Sequence, residues 1–152
     1  MHYNLRFTLP MLLLASCGGI LTGVDTVDSM PQVEIRTLES VYRPLEPAVA
    51  VIHNAGAEPI FRDPCAGKIE GRRTASAPWN GSYGSGRACA LTGGQEYPKP
   101  VQIGPGESMS DTLHINSLAY EGEWRFQFQL FDARGKLLPL EQRVSNIFQV
   151  VR

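Results

Sequence analysis

The sequence predicts an all-β domain, an antiparallel sandwich of about seven short strands, and three observations carry that prediction. Apolar residues recur with period two. In GEWRFQFQLFD, Trp124, Phe126, Phe128 and Leu130 fall on one face and Glu123, Arg125, Gln127 and Gln129 on the other. That is the pattern of an antiparallel strand with one buried and one solvated face. Glycine (15) and proline (11) are frequent enough to punctuate the chain, as turns between short strands require. After residue 16, no segment carries the alanine-, leucine- and lysine-rich periodicity of a helix.

Val33, Ile35 and Thr37 alternate with Glu34 and Arg36, giving a first strand; Pro44 and Pro47 then punctuate the chain. AVAVIHNAG is a β-branched run of central-strand character that ends in a turn at Asn54-Ala55-Gly56, and PIF (59–61) is a short third strand. Residues 62–98 hold both later cysteines, many glycines and three prolines. They predict an irregular excursion. Val101 to Ile103 form a short strand and GPGES (104–108) a turn. Met109, Asp111, Leu113 and Ile115 then alternate with Ser110, Thr112 and His114. The Trp124 strand comes next, DARGK (132–136) is a turn, and VSNIFQVV closes the chain with Phe148 and Val150 on one face. Two sheets about 10 Å apart would share these apolar stripes as a core.

The first residues belong to a different kind of segment. Arg6 and the amino terminus precede an apolar run from Leu9 to Ala15, and small residues come after it. The run is far short of the ~20 residues a membrane span needs, and its layout is that of a secretory signal peptide. Leu14-Ala15-Ser16-Cys17 resembles the lipobox of bacterial lipoproteins. That resemblance implies removal of residues 1–16, a diacylglyceryl group on the Cys17 thiol, and acylation of the new amino terminus with a chain such as palmitate. It further implies a membrane partner reached through lipid, since two or more chains give stable anchoring. Gly18 stands where inner-membrane lipoproteins often carry aspartate, so the implied place is the cell envelope, at the outer membrane facing the periplasm or the surface. Residues 17–31 lack periodicity and read as a tether, with a mean reach of about 20 Å if flexible. The domain would be residues 32–152, one domain's worth of chain.

Charge excludes one class of partner. The chain has 14 basic and 15 acidic side chains, a net of −1. Losing Arg6 with the leader leaves −2, no field for nucleic acid. Of three cysteines, a lipidated Cys17 leaves Cys65 and Cys89. In an oxidising compartment these can form a disulfide, worth about 3.5 kcal/mol for a loop of about 25 residues in the chain-entropy model. Free thiols and a metal site are the alternatives, and no other cysteine or histidine lies near to complete a metal set.

A second resemblance covers residues 33–151. Asn54 after a strand, PIF, two cysteines, GPGES, EGEWRFQFQLFD and SNIFQV are similar to a pattern in small bacterial immunoglobulin-like lipoprotein domains. It implies an immunoglobulin-like β-sandwich and says little about activity.

Chemistry-bearing motifs are few. His53 and His114 read as ordinary strand histidines. No G-x-S-x-G nucleophile elbow occurs, and GSYGSG (81–86) lacks the strand and helix that flank a phosphate loop. NGS at Asn80 and IEGR at 69–72 read as chance matches. No catalytic residue, metal ligand or cofactor is expected. The suggestive feature is a patch: between 61 and 89, Arg62, Lys68, Arg72, Arg73 and Arg87 outnumber Asp63 and Glu70. Trp79 and Tyr83 share that stretch, and arginine with aromatics is what binding surfaces enrich. Arg72, Arg73, Trp79 and Tyr83 are therefore the candidate partner-binding residues, weighed against a solvated loop. The expected function is non-enzymatic binding or scaffolding; the alternative is a secreted inhibitor offering a disulfide-pinned loop to a protease or lysozyme.

Overall fold

A computed structural model describes residues 32–80, 86, 87, 89 and 96–152, with 86 and 87 as backbone. The segments expected to be leader (1–16) and tether (17–31), with Cys17, and also Tyr83, lie outside the described residues. The fold is all-β with one short 3-10 turn at Leu140–Gln142. One antiparallel sheet holds β1 (Val33–Thr37), β3 (Pro47–Asn54) and β7 (Ser108–His114) in the order β1-β3-β7. The other holds β2 (Val41–Tyr42), β9 (Phe148–Val150), β8 (Gly122–Phe131), β4 (Ile60–Arg72) and β5 (Gly86–Arg87) in the order β2-β9-β8-β4-β5, with β6 (Val101–Ile103) also on β4. The β2–β9 pair is parallel and the rest antiparallel.

Both sheets turn their apolar stripes into one core. Ile35, Ala50, Ile52 and Leu113 come from the first; Ile60, Ile69, Trp124, Phe126, Phe128, Leu130, Phe148 and Val150 come from the second. The Trp124 stripe is buried throughout, as its alternation predicts. Tyr42 meets Phe148 edge-on at 5.1 Å, a favoured aromatic geometry.

Two expectations need correction. The described residues form nine strands rather than about seven. The additions include β2 and β5, two residues each, too short to show a period. More important, the predicted excursion from residue 62 is a continuous strand up to Arg72. PIF is only the start of the 13-residue β4. The glycines that read as loop punctuation are strand positions under aromatic rings. A Cβ on Gly67 would lie 3.3 Å from the Phe128 ring, and one on Gly71 only 2.7 Å from the Trp124 ring. Strand glycine marks such close approach. The register slips between Arg62 and Gly67, where Pro64 and Cys65 sit, and a bulge is where a sheet tolerates proline.

Polar groups fix the joins. Asn54 is buried: its side-chain amide donates to the carbonyls of Glu58 (2.8 Å) and Ile103 (3.1 Å), and its Oδ1 accepts from Gly56 N–H at 3.1 Å. Arg62 on β4 and Asp111 on β7 form an ion pair across the two sheets, each side chain 4% exposed. At the outer edge of β1, Asn146 accepts from Thr37 N–H (2.8 Å) and donates to Ile35 O (3.3 Å). These two edge groups are thereby withdrawn from pairing with another chain.

One turn is unusual. Glu46 N–H donates to Arg43 O at 3.1 Å, with Pro44 second and Leu45 third at φ 71°. A type II turn asks for glycine or asparagine there. A leucine in that region carries a strain of roughly 1–3 kcal/mol, and this one is 68% exposed.

Candidate binding surface

The outward face of β4 and β8 carries alternating charge because both strands put every second residue outside. Lys68 stands opposite Gln127, Glu70 opposite Arg125 and Arg72 opposite Glu123. Arg72 pairs with Glu123 at 2.7 Å; Glu70 receives Arg125 at 3.0 Å and Lys68 at 2.6 Å. Beyond Arg72 the chain folds back, tied by Arg72 Nη1 to Ala75 O (2.7 Å) and by paired backbone bonds between Gly71 and Asn80 (3.0 and 2.9 Å). This return lays Trp79 on the ladder, its ring 4.5 Å from the Arg72 guanidinium and 4.2 Å from that of Arg125. Such cation–π contacts contribute about 0.5–2 kcal/mol each.

The four candidate residues therefore have different fates. Arg72 and Trp79 are together. Arg73 sits over Tyr120, 4.7 Å from its ring. Tyr83 lies outside the described residues. The stretch is less basic in space than in sequence, since Arg62 is inside the core with Asp111 and Arg72 and Lys68 face carboxylates. Charge reversal at Arg72 would disturb a strand, not a free loop. The sequence places Arg125 on the wet face of its own strand, but only the β4–β8 register sets it beside Trp79 and brings Glu70 and Glu123 to the two arginines.

Two predictions arise here. Arg125→Ala should lower stability by about 1–2 kcal/mol, more than the ~0.5 kcal/mol of an ordinary surface change, because it removes both the Glu70 pair and the Trp79 contact. Urea melts beside a control at exposed Gln129 check this; equal effects would show the stack contributes nothing. The second concerns acid. Burial alone pushes the Glu70 carboxyl up, but hydrogen bonds and charge from Lys68 and Arg125 outweigh it and hold it below its ordinary 4.5. A depressed carboxyl stabilises the fold above its unfolded value and loses that contribution as pH falls through the folded one. Stability measured from pH 6 downward should decline from near 4.5, and Glu70→Gln should flatten that decline.

Cys65 and Cys89 form a disulfide, Cα atoms 5.1 Å apart. Asp63 accepts from Cys65 N–H at 2.8 Å and from the Tyr97 hydroxyl at 2.9 Å to each oxygen. The bulge, Cys89 and Tyr97 are thus tied together. The carboxylate pushes the Tyr97 phenol above its usual range.

The register also aligns Glu34, His53 and Ser108 across the other sheet. His53 Nδ1 lies 3.0 Å from Ser108 Oγ, while the Glu34 carboxylate is held by Arg36 at 2.7 Å. The order imitates a hydrolase triad, but it lies on the outward face of β3, a central strand paired on both sides. His114 is exposed on the same face. Among the described residues no cluster of three or more His, Cys, Asp and Glu could hold a metal ion, and no helix is long and apolar enough to cross a membrane.

No protein-family model matches the sequence, and no curated protein matches it. Among solved structures, the chain is similar to the Pseudomonas fluorescens alkylpurine DNA glycosylase AlkC bound to DNA containing an abasic site analog. That match has 13% identity and a TM-score of 0.39, covering 82% of this chain and 31% of that one. The chain thus spans under a third of the glycosylase. It is also similar to a structural-genomics target, SoR45, at 12% identity and a TM-score of 0.40, covering 80% of this chain and 85% of that one. Likeness at this level carries no argument about activity.

Proposed function

We propose that this is a lipid-anchored protein of a bacterial envelope whose domain binds or scaffolds without catalysis. Leu14-Ala15-Ser16-Cys17 carries the reading. The disulfide supports it twice. It uses the other two cysteines and so leaves Cys17 for acylation, and such bonds persist in oxidising compartments. Residues 17–31 serve as the tether, and the domain is of the immunoglobulin type. In favour of that type, the orders β1-β3-β7 and β9-β8-β4 match strands A-B-E and G-F-C of that fold.

Intact mass of membrane-extracted protein tests the anchor. The expected species lacks residues 1–16 and carries acyl mass, and Cys17→Ser should accumulate uncleaved precursor. A soluble, uncut chain with an unmodified Cys17 would end this reading.

A further inference from the structure

We infer that the tip formed by the turns around Leu45 and Leu118 is a docking surface for a protein partner offering a concave apolar pocket. This rests on the reading of the domain as a binding module and names the surface it uses. Leu45 occupies a glycine-favouring turn position at φ 71° and is 68% exposed. The fold thus gains neither relaxed backbone nor burial from it, and strain that the fold does not use points to function. Leu118, 69% exposed, projects from the next turn. There Ala119 N–H donates to Asn116 O and Leu118 N–H to Asn116 Oδ1. The two turns are joined: Leu45 N–H donates to Ile115 O (2.9 Å) and Ile115 N–H to Glu46 O (3.1 Å). Two exposed leucines are therefore carried on turns that are hydrogen-bonded into one tip.

Position and charge select the occupant. The tip lies where β3 begins and β7 ends, since Pro47 pairs with His114. Gln32, where the tether enters, lies at the other end of β3, bonded to Ala55. Eight residues of strand place the two about 25 Å apart, so the surface points away from the point of attachment. The rim mixes signs: Glu46 accepts from Arg43 N–H at 2.6 Å, and Glu121 accepts from Arg152 N–H at 3.3 Å. A mixed rim suits a protein surface better than a uniformly anionic bilayer. Two leucines fall well short of the ~800 Å² per partner of a standard interface, so the remaining area must come from a partner surface that closes around them, which two projecting tips cannot supply to each other. Apolar knobs entering a pocket are the form that concentrates binding energy.

Photoreactive side chains in place of Leu45, Leu118 or exposed Ala133, in the full chain in living cells, test this. Ala133 lies at the tether end. The expected result is one adduct of the same mass from positions 45 and 118 and none from 133. With the probe at 118, Leu45→Gly should cut that adduct about tenfold while raising Tm by about 3 °C. A fall in Tm would show that Leu45 serves the fold and overturn the inference. An adduct of twice the chain mass, or increments of lipid mass, would also overturn it, as would equal capture at all three positions or no adduct at all. Capture from position 133 alone would overturn the tip while leaving the binding-module reading standing.

Discussion

Trp124→Ala will lower stability by about 3–5 kcal/mol, the range for a large aromatic removed from a core that cannot collapse around the gap. The indole is fully buried, its ring tilted against Tyr120 at 4.9 Å and its Nε1–H donating to Tyr120 O at 3.0 Å. Beneath it β4 supplies Gly71, where a Cβ would stand 2.7 Å from three ring atoms. Ring and glycine therefore occupy one space. Gly71→Ala alone should cost about 1–3 kcal/mol by overpacking. Combined with Trp124→Leu it should cost far less, because the clash is gone. Residues in contact show such non-additivity, typically about 0.5–3 kcal/mol. Urea melts of the two single variants and the double variant measure it. Simple additivity would mean that Gly71 is not there to admit the ring.

Asp111→Ala is expected to be as damaging, at about 3–5 kcal/mol, for an electrostatic reason. It leaves the Arg62 guanidinium in the core without its opposite charge, and breaking a buried pair by one partner typically costs that much. Arg62 also lies over Phe128, 5.5 Å from the ring centroid, so it cannot swing to water without vacating the core. Replacing both members, as Arg62→Met with Asp111→Leu, should restore stability to near wild type or above, since apolar pairs of similar volume do as well as buried ions. A double variant no better than Asp111→Ala would locate the cost elsewhere, in the packing beneath the bulge. Thermal and urea unfolding of the three proteins decides between them.

These two pairs mark where sequence reasoning reached and where it stopped. Period two placed Trp124, Phe126, Phe128 and Leu130 inside, and it placed Asp111 on the inward stripe of β7. It could not name the partner of either Trp124 or Asp111. Gly71 and Gly67 carry no side chain to show a period, so they read as turn signals and hid the strand between Arg62 and Arg72. Arg62 then looked like one more cation of a loop. The Trp79 stack was half legible: Arg72 and Trp79 are near in sequence, but Arg125 arrives from 46 residues beyond Trp79 through a register that only the folded sheet defines. Leu45 stood in plain view as Arg-Pro-Leu-Glu, without the glycine that announces a type II turn. The lipobox at residues 14–17 is an expectation of sequence, tied to its own mass measurement.

The place of β9 bears on timing. This last strand lies between β2 and β8, pairing Tyr42 with Val150 and Trp124 with Phe148. The larger sheet thus joins Tyr42 to Val150 across a loop of more than a hundred residues, and β2 and β8 gain their shared neighbour only after the rest of the described domain has been made. Closing so distant a contact is slow, and chains dominated by such pairings fold in milliseconds to seconds. A nascent chain not yet extended through Val150 leaves Tyr42 and Trp124 without these neighbours. Until residues 148–150 have been made, the larger sheet cannot close between β2 and β8, and its largest buried aromatic waits with it.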